Sequence, residues 1–348
     1  MRTGNFKQDY AQLVALSDSP ATWSWVALLG MLLLAAPLMV HNYALTLMVS
    51  AMIAVIGAVG LNMLTGMTGL ISLGQSGFLA VGAYANAILM ADYGWPVLLS
   101  LPMAGVISAL VSILVGVPSL RLKGLYLAVT TMAFAFIVNH TILHSAWLTH
   151  GANGIFVSGA DLFGINIQRG APFYYFVLAI TVLIVLMALN IQRSRIGRAM
   201  MAIRDHDIAA GIMGINLVSY KLLAFMISSF MVGVAGGLIS LQIRYINVDV
   251  FNMILSIEAL AIIILGGLGS VAGAILGAVF LSFLPEIIRI VLGAFGDASS
   301  TIYTTYVYEL RGIVYGVVIV IFLRFKPHGL IGLWRDQKKY WSGWPLSY

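Results

Sequence analysis

The sequence predicts an all-α, polytopic membrane protein of about ten transmembrane helices with both termini on the cytoplasmic side. Three observations predict it. Of 348 residues, 61% are apolar and 9% charged, whereas a soluble domain is roughly 45–50% apolar and about 25% charged. The apolar residues fall into ten runs of near-membrane length, and the basic residues cluster between them on one side. Mean hydropathy is +1.00. Together these exclude a water-soluble globular enzyme, a disordered chain and any soluble domain of normal size.

The elements follow in order. A comparatively polar tail, 1–22, carries Arg2, Lys7, Asp9 and Asp18 and precedes an uncleaved first helix. Apolar runs then lie at about 23–40, 43–64, 70–90, 96–117, 125–143, 172–190, 219–241, 255–268, 272–292 and 309–323. They form one transmembrane domain, 23–323, and a second tail, 324–348, follows. The 70–90 run is interrupted by Gly74, Gly77 and Gly82, and 255–268 is short. Both read as broken or re-entrant segments, which a bilayer tolerates only inside protein or beside a wet cavity.

Orientation follows from charge. With ten crossings and the N-terminus inside, 14 of 18 Lys and Arg residues fall on the inner side, in clusters at Arg2/Lys7, Arg121/Lys123, Arg193–Lys221 and Arg324–Lys339. Only Arg169, Arg244, Arg289 and Arg311 are left outside, as the positive-inside rule requires. The net charge of +6 therefore reports topology and implies no nucleic-acid partner. Absence of cysteine excludes disulfides, thiolate catalysis and cysteine metal sites.

Two connections are long. The outer one, 144–171, contains His150, Asn153, Asp161, Arg169 and five glycines and reads as an ordered loop. The inner one, 191–218, is rich in Ala and Met, and Gly214 makes a C-terminal stop. It predicts a pair of short helices lying along the membrane face.

Glycines at Gly233/Gly237, Gly269/Gly273/Gly277 and Gly312/Gly316 recur every four residues. That spacing puts them on one helix face, where small residues allow close backbone approach in lipid. The same faces could also line a path that opens and closes. Charges inside spans are few. Glu286 and Arg289, three apart, are placed to pair. Glu258, one turn into its run, fits either a helix-terminal carboxylate or a substrate contact. His140 and His144 have i, i+4 spacing but no following Glu, so the metalloprotease pattern fails and no metal site is predicted. No Lys follows a Gly, so a phosphate-binding Gly-Lys-Ser/Thr loop is missing. Any ATPase that works with this chain is another chain.

Four stretches together resemble one family: Gly60–Tyr84, Arg121–Thr131, Arg195–Phe225 and Ser256–Gly273. They are similar to the LivM-type membrane permeases of ATP-driven importers for branched-chain amino acids. The resemblance implies the ten-helix architecture of the vitamin B12-type (type II) importers, with a cytoplasmic coupling segment between the sixth and seventh helices. The 191–218 connection occupies that position. It also implies a multi-pass protein of the bacterial inner membrane, with a homologous second permease, two ATP-binding subunits and an extracytoplasmic substrate-binding protein as partners. ATP and Mg would be bound by those partners, and no cofactor by this chain. Permeases of this kind dock on the ATPase through Glu-Ala-Ala-x-x-x-Gly; here Ala209, Ala210 and Gly214 hold the small positions. The Glu position is Ile208, and the acid stands one place earlier at Asp207. Gly197, Arg198, Arg204, Asp205 and Asp207 would complete the coupling surface. Broken helices at 60–84 and 262–273 would face the translocation path, through Asn62, Gly66, Gly69, Ser72, Gly74, Gln75, Glu258, Gly266, Gly267 and Gly269. The implied substrates are branched-chain amino acids or related small organic acids and amides.

Two other classes compete. An ion-coupled secondary transporter would use Glu258 as carrier, but it lacks the chain of intramembrane acids a relay needs. A membrane-embedded enzyme would use His140, His144 and Asp161, which do not make a convincing metal-ligand set.

Overall fold

The computed structural model describes residues 20–119, 122, 124–157, 161, 162, 165, 166 and 170–295, together with 316, 317, 320, 324 and 329–333. Most of both tails, most of the 309–323 run, Gly312, Arg121, Lys123, Arg169 and Arg311 lie outside the described residues. So does the side chain of Asp161.

Helices α1 (Pro20–Met39) and α2 (Asn42–Leu61) open the bundle. A π-turn, Asn62–Gly66, continues α2 before the chain breaks, and α3 spans Gln75–Ala91. Then come α4 (Val97–Ser119), α5 (Leu125–His144) and the single turn α6 (Ala146–Thr149). Three two-residue strands follow: β1 (Ile155–Phe156), β2 (Asp161–Leu162) and β3 (Ile165–Asn166). Helix α7 is Ala171–Arg193, and the short pair α8 (Arg195–Asp205) and α9 (Asp207–Ile212) leads into α10 (Leu217–Ile243). Strand β4 (Tyr245–Ile246) precedes α11 (Met253–Gly266) and α12 (Val271–Phe295).

Among the described residues, six helical stretches are long and apolar enough to cross a membrane: Asn42–Gly66, Val97–Pro118, Leu125–His144, Ala171–Arg193, Leu217–Ile243 and Val271–Ile290. Helices α3 and α11 have 17 and 14 residues. At 1.5 Å per residue, α11 reaches only about 21 Å of a roughly 30 Å hydrocarbon layer. The two runs singled out as irregular in the sequence are therefore the short ones.

Helix α10 is the centre of the bundle, packing on α4, α3 and α2; α12 packs on α2 and α11, and α7 on α2. The packing surfaces are made by small residues. A Cβ on Gly236 would lie 2.1 Å from the Leu79 carbonyl oxygen, and one on Gly82 would lie 2.2 Å from that of Gly233. Gly233 and Gly237 likewise face α4, at Ser108 and Leu101. Gly277 and Gly273 of α12 meet the backbone of α11 at Ile262 and Gly266. Large apolar side chains such as Leu114 and Ile137 point outward instead, 74% and 63% exposed. This is the arrangement of a lipid-bathed bundle, where close packing rather than burial of bulk drives association.

One expectation about glycine changes. Gly269 does not share a helix face with Gly273 and Gly277, because α12 begins only at Val271 and Gly269 sits in the preceding turn at φ +80°. Around Gly316 a Cβ would meet no described atom within 4 Å.

Several polar groups buried in the bundle find partners within it. Asn86, fully buried, donates Nδ2–H to Ser240 Oγ at 2.8 Å and accepts from Ser100 Oγ at 2.8 Å, tying α3 to α10 and α4. The non-helical stretch between the π-turn and α3, and the first turn of α3, are held the same way. Leu73 N–H donates to Thr131 Oγ1 at 2.9 Å, and Ser76 N–H to Ser256 Oγ at 2.9 Å. Irregular backbone is tolerated here because side chains of α5 and α11 satisfy it.

Candidate functional site

The α8–α9 pair is amphipathic and sits at one end of the bundle. Ser194 caps α8 by accepting from Gly197 N–H at 3.3 Å, and Met200 and Ile203 are buried beneath it. His206 is extended and breaks the two helices apart, so α9 starts afresh at Asp207. Gly214 then adopts φ +86° and ends α9. Its N–H donates to the Gly211 carbonyl at 3.0 Å and Ile215 N–H to that of Ala210 at 3.0 Å. This two-bond C-cap is the pattern that glycine permits. The C-terminal stop and the helix pair are both as expected.

The coupling residues divide by exposure. Gly197 and Ala210 are buried, and a Cβ on Gly197 would lie 2.3 Å from the Ile191 carbonyl oxygen. Arg198, Asp205, Ala209 and Gly214 are exposed, and Asp207 is half-buried. Ile208, Ile212 and Met213 present an apolar face, 64%, 83% and 75% exposed. Arg204 is exposed as well, but one edge of its guanidinium reaches the bundle. Its Nη1 donates to the Gly66 carbonyl at 2.8 Å, while Nε and Nη2 both donate to Asp205 Oδ1 at 3.2 Å.

Gly66 closes the π-turn and lies against the α11–α12 turn. Asn62 Oδ1 accepts from Gly269 N–H at 2.9 Å, and Gln192 Nε2 donates to the Gly269 carbonyl at 3.3 Å. Gly69, at φ +72°, abuts Arg204. Gly266 and Gly267 bring the end of α11 against Gly273. Ser72 Oγ accepts from Gly74 N–H at 3.2 Å, and Gly74 packs on Thr131 of α5. Of the path residues, all but Glu258 and Gln75 thus gather at or beside this end.

Above them opens a cavity of about 770 Å³ between α2, α3, α10, α11 and α12. That size is typical of small-molecule sites. Its walls are aliphatic, with Ile53, Leu79, Ile239, Ile262 and Leu281 among them. Gln75 lies at its floor, where Nε2 donates to the Gly57 carbonyl at 3.1 Å. Glu258 lines the cavity but not as a helix-terminal charge. It stands in the second turn of α11, whose N-terminus is capped by Asn252 accepting from Leu255 N–H at 3.3 Å.

The far end of the cavity is polar. Glu286 accepts from Arg289 and from Tyr43 Oη, the latter at 2.8 Å, and the guanidinium lies 5.2 Å from the centroid of the Tyr43 ring. Beside them Gln242 Nε2 donates to Ser50 Oγ at 2.7 Å. The Glu286–Arg289 pair is as the i, i+3 spacing predicts. Tyr43, Ser50 and Gln242 escaped the sequence reading, although isolated polar residues within otherwise apolar helices were the available signal.

His140 and His144 stack with ring centroids 4.0 Å apart, and His144 Nδ1 lies 2.9 Å from the His140 carbonyl. Among the described residues no three His, Cys, Asp or Glu side chains are placed to hold a metal.

A bundle of apolar, membrane-length helices with a broken helix beside an aliphatic, polar-tipped cavity has the architecture of a multi-pass membrane transport protein. Over residues 43–323 the chain matches the permease component of branched-chain amino acid transport systems. It belongs to that family. It is 33% identical over 331 residues to the high-affinity branched-chain amino acid transport system permease protein LivM of Salmonella typhimurium, covering 88% of this chain and 74% of the relative. The Escherichia coli K12 LivM protein is 33% identical over 342 residues, covering 91% and 76%. The E. coli K12 LivH permease is 25% identical over 301 residues, covering 79% and 90%. These relatives are permease subunits, so the chain is a transport subunit rather than an enzyme. No solved structure matches it.

Proposed function

We propose that the chain is one of two homologous permeases in an ATP-driven, binding-protein-dependent importer of branched-chain amino acids or related small organic acids and amides. The observation that carries this reading is the α8–α9 pair, a surface element with an exposed apolar face at Ile208 and Ile212 and a rigid C-cap at Gly214. In this reading two ATPase subunits dock on that face, and the ten-helix protein sits in the bacterial inner membrane with both termini cytoplasmic. The relatives named LivM support the substrate class, and the similarity to LivH supports a pseudo-symmetric permease pair. The binding protein delivers substrate at the polar end of the cavity, opposite α8–α9. ATP binding biases a two-state permease between outward and inward openings.

The cavity suits such a substrate. Aliphatic walls match a branched side chain, while Glu258, Glu286 and Arg289 supply opposite charges for an amphiphilic head. Ala54 lies on the wall and is half-buried. Ala54→Trp is expected to abolish uptake with normal membrane insertion and ATPase binding, because the indole fills the passage rather than the packed core. Ala54→Ser should transport normally.

The deciding experiment is reconstitution of the chain with its permease partner, ATPases and binding protein in proteoliposomes, followed by uptake of radiolabelled leucine. ATP-dependent, binding-protein-dependent accumulation supports the reading. Uptake by this chain alone, driven by a pH gradient, would replace it with the ion-coupled carrier centred on Glu258.

A further inference from the structure

Arg204 is exposed at the end of α8 and yet reaches the bundle. Asp205 engages its Nε and Nη2, which fixes the guanidinium plane and aims Nη1 at the Gly66 carbonyl. The target is the end of a π-turn, a helix segment with an extra residue that commonly marks a functional weak point. The approach depends on glycine. A Cβ on Gly66 would lie 2.4 Å from Gly269 N, and one on Gly269 would lie 2.6 Å from Arg204 Nη1.

Around that contact three elements meet. Asn62 Oδ1 accepts from Gly269 N–H, and Gln192, at the end of α7, donates to the Gly269 carbonyl. Asn62 is fully buried, yet its Nδ2 has no hydrogen-bond partner among the described residues. An unsatisfied buried amide is costly. A junction that was merely a staple would have little reason to keep one, whereas a junction with a second arrangement can satisfy it there.

We propose that Arg204 is a positioning residue that carries displacement of the α8–α9 pair into the cavity floor, by holding the π-turn of α2 and the α11–α12 turn to that pair as one body. The inference rests on the ATP-driven reading above. Arg204 touches neither substrate nor nucleotide; it acts through Gly66 and Gly269.

The test uses the assembled transporter in proteoliposomes and reads uptake per ATP hydrolysed. Arg204→Gln is expected to lower that ratio about tenfold or more, a loss that the amount of bound ATPase does not set because uptake is counted per ATP hydrolysed. Arg204→Lys, which keeps a donor, should recover part of it. A lower melting temperature with an unchanged ratio would overturn the proposal and make Arg204 a structural staple. A second variant does not depend on Arg204→Gln assembling. The chain has no cysteine, and a Cβ on Gly69 would stand 3.7 Å from that of Arg204, a disulfide separation. In Gly69→Cys with Arg204→Cys, oxidation should raise the ratio above that of the reduced form, since the covalent link replaces the lost hydrogen bond. Oxidation that stops uptake altogether would show that the contact must open in each cycle, which also overturns a one-body link. If wild type itself accumulates substrate without ATP, the importer reading falls first; if wild type is ATP-dependent and Arg204→Gln is fully coupled, only this inference falls.

Discussion

Gly236→Val is expected to destabilise the bundle severely. The first added carbon would lie 2.1 Å from the Leu79 carbonyl oxygen and 3.0 Å from Ala83 N. Both are backbone atoms of α3, so no side-chain rotation relieves the clash; α3 and α10 must separate. Separation also breaks the Asn86–Ser240 bond and opens the reciprocal contact of Gly82 with Gly233. Overpacking a well-packed core costs about 1–3 kcal/mol and occasionally more, and a backbone–backbone clash belongs at the upper end. The measurement is thermal unfolding and the monodisperse fraction in detergent. Gly30→Ala is the control, because a Cβ there meets nothing within 4 Å. It should be neutral or slightly stabilising, by roughly 0.5–1 kcal/mol. Equal stability of the two variants would refute the packing role.

The second large effect is functional. Ile208→Asp combined with Ile212→Asp is expected to eliminate ATP-driven uptake while leaving the amount and melting temperature of the protein unchanged. The two residues are one turn apart on α9 and share its exposed face. Exposed substitutions usually move stability by no more than about 0.5 kcal/mol. A desolvated apolar anchor in an interface, by contrast, costs about 2 kcal/mol or more when lost, roughly a 30-fold weakening. Co-purification of the ATPase with the variant permease reads this directly. Undiminished co-purification would show that α9 does not dock there.

The span pattern was open to reading from composition because lipid imposes one rule on every crossing: apolar bulk outside and a satisfied backbone inside. Hydropathy therefore located α2, α4, α5, α7, α10 and α12 to within a few residues. The α8–α9 pair was legible too, because charge, Ala content and Gly214 coincide there. What stayed hidden were the contacts that join residues far apart in the chain. Arg204 looked like one more surface arginine beside Asp205 and Asp207, and only the fold reveals Gly66 within 2.8 Å of it. Gly269 shared a four-residue spacing with Gly273, but periodicity cannot see that a turn precedes Val271. Tyr43 reaches Glu286 across 243 residues of sequence, which no local pattern encodes.

Strand β1 pairs antiparallel with β4, Ile155 opposite Ile246 and Phe156 opposite Tyr245. Val157 N–H adds a bond to the Arg244 carbonyl at 2.7 Å, and Tyr245 Oη donates to the Asn153 carbonyl at 3.0 Å. The two connections that meet here arise almost a hundred residues apart, yet they are hydrogen-bonded into one unit. Val250 of the cavity wall follows β4 by four residues. A protease nick just beyond Val157 would cut the chain without freeing β1, and the severed strand would stay buttoned to Tyr245 and Ile246.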